Sequence, residues 1–273
     1  MNKKTLNKLK NLLGVPTYTW QEDRLRNYIL DKVIINLDVE VDVDSIGNVY
    51  ITKGESEYYP CLVAHLDSVH PIQEYSVLEE FHLNAQGEKK LSLVAYDTEG
   101  ERCGIGGDDK AGVFICLELL KKLDNIKVFL PVAEETGCNG SRQANGEFFK
   151  DVGYAIQFDS TENDTMSRTL MGVPLYKESS EFINKCEKII LEHGIDKWLH
   201  HPYTDTMVLK ERFNFSCLNF AAGYYGWHSD HEYVVVEDVE NAINLGEKVI
   251  KSLGNKKYKF KYKKKDRPSF LFS

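Results

Sequence analysis

Apolar residues recur along the chain in two patterns, one typical of helices and the other of buried strands. Helical spacing marks Leu6 to Leu13 and Lys110 to Leu123, and we expect the second segment to be an amphipathic helix. Short continuous apolar runs predict buried strands at Cys61 to Ala64, Val128 to Ala133 and Tyr154 to Phe158. This alternation predicts an α/β fold, a three-layer sandwich with a mixed, mostly parallel sheet and helices on both faces.

Further elements are expected around this core. Val39 to Val43 pairs with Asn48 to Thr52 in one predicted hairpin, and Tyr75 to Asp97 forms another that turns at residues 85–88. The other predicted elements are a helix capped by Thr19 and running to Val33, helices at Gly140 to Phe148, Glu178 to His193 and Val239 to Leu253, and a strand at Phe215 to Phe220.

The 273 residues are enough for one large α/β domain, which we assign to residues 1–255. Residues 256–273 form a basic tail or an edge strand. The net charge is −8, yet from Lys251 onward nine Lys and Arg face a single Asp. The acidic body argues against nucleic-acid binding, so no nucleic-acid partner is expected. The tail leaves open a nucleic-acid role beside the simpler interpretation of a solvated terminus.

The chain shows no signal for a membrane or for secretion. It has no apolar run long enough to span a bilayer, and its first ten residues lack an apolar signal core. Its six Cys are scattered without a C-x-x-C pair. These features predict reduced thiols in a cytoplasmic protein with no membrane partner.

Five short segments place His and carboxylate side chains beside the predicted strands. They are A-H-L-D (64–67), G-G-D-D-K-A-G (106–112), E-E-T-G (134–137), F-D-S (158–160) and W-H-S-D-H-E (227–232). Each segment alone is weak, because a His after a strand is usually structural and paired Asp residues often cap a helix. In an open parallel sheet, however, ligands bind beyond the carboxyl ends of the strands, where three of the segments converge. The ordered set therefore predicts a site for divalent metal ions.

Roles follow from residue type and position. Asp67, two residues beyond His65, is placed to hold the second ring nitrogen of a metal-bound imidazole. Asp108 is the expected bridging ligand, while its neighbour Asp109 supports the turn. Of the two adjacent glutamates, Glu134 is the expected general base and Glu135 the expected ligand.

As a set, the segments resemble those of the zinc exopeptidases with two co-catalytic metals. This group includes peptidase T, which is a tripeptide aminopeptidase, glutamate carboxypeptidase-like enzymes and single-domain leucyl aminopeptidases. The segment C-G-I-G-G-D-D-K-A-G-V (103–113) is similar to the metal-bridging turn of peptidase T. The stretch from Thr204 to Glu232 is similar to the end of its catalytic domain, and the resemblance extends from about Leu6 to Leu253.

The resemblance implies a complete ligand set. It assigns His65 and Asp159 to one metal, Glu135 and His228 to the second, and Asp108 to both. It also implies a cis peptide between Asp108 and Asp109, with Asp67 behind His65 and Glu134 as the base. His228 is preferred to His231 because only His228 stands in the family's H-x-x-x-E spacing, with Glu232.

The chain departs from peptidase T at the lid and dimerisation domain. Only 68 residues separate Asp159 from His228, too few for that insertion, so we expect a single catalytic domain without a lid. A local group must then replace the lid's contribution to oxyanion stabilisation. The candidates are His200, His201, Tyr203, Tyr224 and Tyr225.

The predicted function is metal-dependent hydrolysis of short peptides, with aminopeptidase action favoured, through a metal-bridging water activated by Glu134. Two zinc ions are the expected cofactors, and manganese or cobalt are possible in a carboxylate-rich site. A deacetylase or aminoacylase that acts on N-acyl substrates is one alternative. A catalytically inactive binding protein on the same fold is another. The sequence does not determine the oligomeric state.

Overall fold

An eight-stranded sheet organises the protein, and a computed structural model describes residues 1–84, 87–200 and 204–261. The strands are β1 Glu40–Val43, β2 Val49–Lys53, β3 Tyr59–Val63, β4 Tyr75–Leu83, β5 Lys89–Asp97, β6 Arg102–Cys103, β7 Ile126–Leu130, β8 Val152–Ser160, β9 Thr165–Ser167, β10 Thr169–Leu170, β11 Val173–Pro174, β12 Lys197–Leu199, β13 Ser216–Ala221, β14 Tyr224–Tyr225 and β15 Tyr233–Val235. The helices are α1 Lys3–Leu13, α2 Asp23–Tyr28, α3 Gly107–Lys122, α4 Asn139–Gln143, α5 Glu181–Glu192, α6 Asp205–Phe213 and α7 Val236–Leu253, with a π-helical turn at Ile29–Val33.

The main sheet has the strand order β1-β2-β7-β3-β8-β13-β9-β12. Its four central strands, β7, β3, β8 and β13, are mutually parallel and entirely buried. Parallel strands need cover on both faces, which is why these segments are almost continuously apolar. Antiparallel β2 and β9 flank the parallel centre. The predicted α/β class and mostly parallel sheet are confirmed.

Helices cover both faces of the sheet, as two successive residues of β8 show, because successive side chains of a strand point to opposite faces. Gly246 of α7 packs against the Phe158 ring on one face. The next residue back, Gln157, accepts a hydrogen bond from the Thr206 backbone N–H of α6 at 2.9 Å on the other face. None of the helices in the described ranges combines the length and apolar character needed to cross a membrane.

A second sheet adds a layer that the sequence did not predict. The predicted hairpin at Tyr75–Asp97 forms as β4 and β5. Of its predicted turn at residues 85–88, residues 85–86 lie outside the described ranges. Strand β5 also pairs with β15 and β6, and β14 extends this antiparallel sheet. The short strands β14 and β15 flank His228, so this sheet carries one of the predicted ligands.

The predicted amphipathic character of α3 is wrong. Its residues are buried from Gly107 to Leu117 and again at Leu119 and Leu120. The helix contacts β3, β7 and β8 of the main sheet and also β14 and β15 of the second sheet. A helix enclosed on both sides has no solvent-facing stripe.

Lys110 in the glycine-rich motif fixes α1 against α3. Its side chain is 1% exposed, and Nζ donates to the Leu13 carbonyl at 2.6 Å and to the Tyr75 hydroxyl at 2.7 Å. The first of these bonds satisfies a carbonyl at the carboxyl end of α1, where no intrahelical donor remains. Lys110 therefore supports the fold beside the site.

Two other predicted details are wrong. Thr19 does not cap α2; its hydroxyl donates instead to Asp67 Oδ2 at 2.8 Å. The helix predicted from Gly140 to Phe148 is the shorter α4, which ends at Gln143.

Gly112 lets α3 approach β8 closely, and this contact yields a stability prediction. A Cβ at Gly112 would lie 2.2 Å from the Phe158 carbonyl oxygen and 2.2 Å from Asp109 Oδ1. Because backbone cannot move aside as a flexible side chain can, Gly112→Ala is expected to lower the free energy of unfolding by about 3 kcal/mol. Urea denaturation of the purified variant measures this loss.

Gly146→Ala is the matched control, since the nearest atom to its added Cβ lies 3.8 Å away. We expect its free energy of unfolding to stay within about 0.5 kcal/mol of the wild type. Equal stability of the two variants would contradict the close approach of α3 to β8.

Candidate metal centre

Four of the five segments that the sequence singled out line one cleft of about 390 Å³, and the fifth, 64–67, reaches the cluster through His65, whose Nε2 lies 3.1 Å from Asp108 Oδ1. Strand β3 ends two residues before His65, β7 ends four residues before Glu134, and Asp159 lies at the carboxyl end of β8. Parallel strands place these ends at the same edge of the sheet. The cleft is lined by Asp108, Glu134, Glu135, Gly137, Asp159, Thr161, Thr204, Tyr224, Trp227 and His228.

Asp108 lies between the two predicted metal-binding imidazoles. His65 Nε2 is 3.1 Å from Asp108 Oδ1, and His228 Nε2 is 3.4 Å from Asp108 Oδ2. His228 Nε2 is also 3.1 Å from the Glu135 carboxylate, while His65 Nε2 is 3.9 Å from Asp159 Oδ1. One oxygen of Asp108 thus faces the His65–Asp159 pair and the other faces the His228–Glu135 pair, which is the geometry of a bridging carboxylate.

A turn with unusual backbone geometry presents Asp108. Gly106 has a left-handed φ of 64°, and the peptide between Asp108 and Asp109 is cis, as the resemblance implied. Glu232 is fully buried and accepts the backbone N–H groups of Gly106 at 2.7 Å and Asp108 at 3.0 Å. His70 Nε2 lies 2.9 Å from the same carboxylate. Glu232 and His70 therefore hold the turn from behind.

Both carboxylate oxygens of Asp109 accept backbone hydrogen bonds, although the residue is close enough to the cluster to be considered as a ligand. Ligand atoms of His65, Asp109 and Asp159 lie within 4.8 Å of one another, as do those of a second trio, His65, Asp108 and Glu135. However, Asp109 Oδ2 accepts the His65 backbone N–H at 3.2 Å, and Oδ1 accepts that of Gly112 at 3.1 Å. These bonds support the turn, the role predicted for Asp109.

Asp67 connects three parts of the cluster. Its Oδ1 lies 3.2 Å from His65 Nδ1 and accepts the Glu134 backbone N–H at 2.9 Å. Its Oδ2 accepts the Glu135 N–H at 3.2 Å and the Thr19 hydroxyl. This fully buried carboxylate orients the imidazole from the side away from the cleft. It also sets the backbone from which both glutamates project.

Glu134 is held at the cleft wall by a constrained loop. Ala133, just before it, has a left-handed φ of 51°, and its N–H donates to Glu22 Oε1 at 3.1 Å. The Cys138 thiol lies 3.3 Å from Glu134 Oε1 and is its hydrogen-bond donor. The carboxylate of Glu134 lines the cleft, as expected of a group that acts on a bound water.

Asp159 is held by partners on neighbouring strands. Asn219 of β13 accepts the Asp159 N–H and donates to its carbonyl, both at 3.0 Å. Gln157 donates to Asp159 Oδ2 at 2.8 Å, and the Tyr224 hydroxyl donates to Oδ1 at 3.3 Å. Each oxygen of Asp159 therefore accepts one hydrogen bond and keeps a second lone pair for a further ligand, and the residue lines the cleft.

The pKa values reflect an excess of buried carboxylates. Burial, opposed by His65 and reinforced by Asp205, raises the pKa of Glu134 to about 8. Burial together with Asp109 raises the pKa of Asp159 well above its usual value. Hydrogen bonds to Asp108 and Glu135 raise the pKa of His228 to about 10. The cluster therefore favours positive charge at its centre.

His65 and Asp108 show the same demand for positive charge. Burial acts to lower the pKa of His65, but hydrogen bonds to Asp108 and Asp67 outweigh it and raise this pKa well above the usual value. Burial acts to raise the pKa of Asp108, yet His228 and His65 lower it. A divalent cation supplies the same positive charge to this cluster without a proton.

The donor set fits two divalent metal ions. Two imidazoles and three carboxylates converge. Asp108 is central, because His65 contacts one of its carboxylate oxygens and His228 contacts the other. Such mixed nitrogen and oxygen sets suit zinc, and carboxylate-rich ones also accept manganese. His65 already has its second ring nitrogen held by Asp67, as metal-bound histidines normally do.

The structure separates the remaining candidates. His231 is exposed; its carbonyl accepts from Arg102 and its backbone N–H donates to the Ser229 hydroxyl, so it stands apart from the cluster. Among the candidates for oxyanion stabilisation, Tyr224 lines the cleft. The Tyr225 hydroxyl donates to Asp238 instead, and His200 is exposed outside the cleft lining. His201 and Tyr203 lie outside the described residues.

Several supporting residues were missed from the sequence. Thr19 contacts Asp67, and Gln157 and Asn219 contact Asp159, whereas Glu22 acts through the Ala133 N–H and His70 through Glu232. The contact of Gln157 could have been predicted from the sequence. Residues two apart in a strand share a face, and Gln157 stands two residues before Asp159. The others come from distant segments and carry no local signal.

Solved structures with a similar fold are aminopeptidases and tripeptidases. The aminopeptidase PepT from Bacillus cereus aligns over 93% of this chain and 99% of its own, with a TM-score of 0.73 and 14% identity. A tripeptidase from Staphylococcus aureus has the same coverage and identity, with a TM-score of 0.72. The Pyrococcus horikoshii TET1 peptidase aligns over 90% of this chain and 98% of its own, with a TM-score of 0.64 and 18% identity.

No protein-family model and no curated protein matches the sequence. At such low identity, the structural similarity establishes the fold and leaves the chemistry to the residues in the cleft. The chain thus shares the fold of these aminopeptidase, tripeptidase and TET1 peptidase structures.

Proposed function

We propose that the protein hydrolyses short peptides from their amino ends as a dinuclear metallopeptidase. The observation that carries this proposal is the position of Asp108 between His65 and His228, with Glu134 on the wall of the same cleft. His65, Asp159 and Asp108 would hold one metal, and Asp108, Glu135 and His228 the other. Zinc is the proposed metal, and manganese or cobalt would suit the same donors.

When bound, two such ions polarise the scissile carbonyl and make a water molecule acidic enough to attack near neutral pH. Glu134 accepts the proton of the attacking water and returns it to the leaving amine. The Cys138 thiol keeps one carboxylate oxygen of Glu134 in place, and the Asp67 bonds fix its backbone. The chain thereby keeps the base aimed at the cleft.

The lining of the cleft favours substrates with a free amino terminus. In the described part of the chain no Lys or Arg lines it, so no such side chain is present to hold the α-carboxylate of a peptide. The four lining carboxylates are the proposed ligands and base, and two bound divalent ions would offset their charge. The Bacillus cereus and Staphylococcus aureus structures are titled aminopeptidase and tripeptidase, which agrees with this polarity.

Between Asp159 and His228 the described residues form β9 to β14 with α5 and α6. We propose that this region replaces the lid domain. Tyr224 lines the cleft, and its hydroxyl would have to leave Asp159 Oδ1 to donate to an oxyanion. All six cysteines are buried and free, which supports a reducing, cytoplasmic location.

A substrate series tests the function directly. The purified protein, loaded with zinc or manganese, is assayed on a tripeptide, on its N-acetylated form and on its C-terminal amide. We expect hydrolysis of the free peptide and of the amide, loss of activity on the acetylated peptide, and abolition by a chelator. Cleavage of N-acyl amino acids alone would identify a deacylase. Metal binding without hydrolysis of any peptide would identify a binding protein.

Trp227 is expected to favour large apolar amino-terminal residues. Its ring is 50% exposed on the cleft wall, with small residues such as Gly137 and Thr161 also lining the cleft. We expect Trp227→Ala to lower kcat/KM about tenfold for peptides that begin with Leu or Phe, and to leave peptides that begin with Ala unchanged, because only the larger side chains lose a contact. Steady-state kinetics on matched tripeptides measures the difference.

Trp198→Ala is the control, since this ring is 41% exposed and lines a different cavity. It should leave both peptide classes unaffected. An equal loss on all peptides for Trp227→Ala would show instead that the ring, whose centroid is 4.5 Å from that of His228, only supports the metal ligand.

A further inference from the structure

A row of lysines lies at the end of the main sheet where β8 begins, and the metal centre lies at the end where β8 finishes. Lys257, Lys259 and Lys261, here called the lysine row, line a cavity of about 430 Å³ together with Lys150 and Arg212. No Asp or Glu of the described residues lines this cavity. Lys150 is paired with Glu147, and the Arg212 guanidinium donates to the Ser141 and Ala144 carbonyls, so among the described residues the lysine row carries the unpaired charge of this cavity.

Backbone hydrogen bonds fix the row in an extended conformation. Tyr258 donates to the Gly153 carbonyl at 2.9 Å and accepts from the Ser216 N–H at 2.8 Å, while Lys259 forms an isolated antiparallel bridge with Phe215. Tyr258 is buried, and its ring is 5.7 Å from that of Tyr154. Since alternate residues of an extended segment share a face, the three lysines stand side by side about 6–7 Å apart.

The charges of the row are not neutralised locally. Within the described ranges, no carboxylate forms an ion pair with Lys257, Lys259 or Lys261. The Lys257 Nζ donates only to a backbone carbonyl, that of Lys150, at 3.3 Å. The sequence continues the two-residue repeat with further lysines at 263 and 265.

Aromatic rings form the floor of the cavity. Phe149 and Phe213 stack with centroids 4.5 Å apart and an interplanar angle of 14°. Phe213 is only half-buried, as is Tyr58, over whose ring Lys257 lies at 4.9 Å. The faces of these rings are already covered, those of Phe213 by Phe149 and Arg212 and one face of Tyr58 by Lys257, so the rings give the cavity an aromatic floor and the lysine row supplies its charge.

We propose that the lysine row binds the phosphate backbone of single-stranded nucleic acid. Its evenly repeated charge matches a polymer with one negative charge per unit, whereas carboxylates on a folded protein have no such repeat. A lipid surface is disfavoured because none of the exposed large apolar side chains of the described residues lines this cavity. The acidic body still repels nucleic acid, so the interaction is confined to this surface.

The position of the row leaves the catalytic cleft open. Val152 lines the lysine cavity at the start of β8, and Asp159 lines the cleft seven residues later on the same strand. That separation is roughly 20–25 Å. The proposal is therefore independent of peptide hydrolysis, and either can fail without the other.

Fluorescence anisotropy with labelled oligo-dT and oligo-U tests the proposal between 20 and 200 mM salt. The full chain is compared with a triple variant carrying Lys257→Gln, Lys259→Gln and Lys261→Gln. We expect the wild type to bind, and the variant to bind at least tenfold more weakly at low salt. Its log–log salt slope should be smaller by about 2, because each lost phosphate contact removes about 0.7.

The control removes the same charge elsewhere, by replacing Lys3, Lys4 and Lys8 of α1, which are exposed. This control should bind like the wild type, and both variants should hydrolyse peptides normally. An equal loss in the control, or no binding by the wild type at low salt, would overturn the proposal. Competition by poly-glutamate as effective as that by unlabelled oligo-dT would identify an acidic polypeptide as the ligand, and binding only to anionic vesicles would identify a membrane.

Discussion

Replacing Glu134 with glutamine is expected to lower kcat about 10³-fold while both metal ions remain bound. Glutamine keeps the size of the side chain and can still contact Cys138, but it cannot accept a proton from the attacking water. Proton transfer by a positioned general base is worth about 10²- to 10⁴-fold in rate. Steady-state kinetics on a tripeptide, together with metal analysis of the same sample, measures both halves of the prediction.

Glu135→Gln is the matched comparison, because it changes the adjacent residue in the same way. Glu135 contacts His228 at 3.1 Å, so its replacement is expected to weaken metal binding at that position. The two variants should therefore differ in metal content as well as in rate. Full activity of Glu134→Gln, or loss of metal from it, would show that Glu134 is not the base.

Asp67→Asn is expected to lower both metal affinity and kcat/KM by about 10- to 100-fold. The amide has almost the same shape, but its NH₂ group would face N–H and O–H donors from which the carboxylate now accepts hydrogen bonds. An NH₂ group cannot accept these bonds. Those donors include the backbone N–H groups of Glu134 and Glu135, so the variant also disturbs the base and a ligand. Isothermal titration with zinc, followed by kinetics at saturating metal, separates the two effects.

Asp44→Asn is the control for the general cost of losing a carboxylate acceptor. Asp44 accepts the backbone N–H groups of Ile46, Gly47 and Asn48 in a turn that does not line the cleft. Its replacement should lower thermal stability without changing zinc affinity. Equal zinc affinities of wild type and Asp67→Asn would contradict the role of Asp67 in orienting His65.

The meeting of these side chains could be predicted because several of them occupy positions that leave a local mark. His65, Glu135 and Asp159 each follow or end an apolar strand, and Asp108 stands in a glycine-rich turn. Parallel strands bring such ends together without any detailed knowledge of packing. The pairing of His65 with Asp159 and of Glu135 with His228 was implied by the family resemblance; these side chains lie 3.9 and 3.1 Å apart, and their role as metal ligands stays a prediction.

What the sequence did not reveal depends on contacts between distant segments. The second sheet uses β14 and β15, which are only two and three residues long and too short for any periodic signal. Without that sheet, α3 would have had an exposed face, which is why its predicted amphipathic character is wrong. Likewise Thr19 looked like a helix cap, because serine and threonine before a helix usually serve that role, whereas its partner Asp67 lies 48 residues away.

The most direct test of the metal centre is anomalous scattering at the zinc edge from crystals of the zinc-loaded protein. We expect two peaks about 3.5–4 Å apart, with Asp108 between them, His65 and Asp159 at one, and His228 and Glu135 at the other. A single peak, or two peaks that do not share Asp108, would contradict the dinuclear centre.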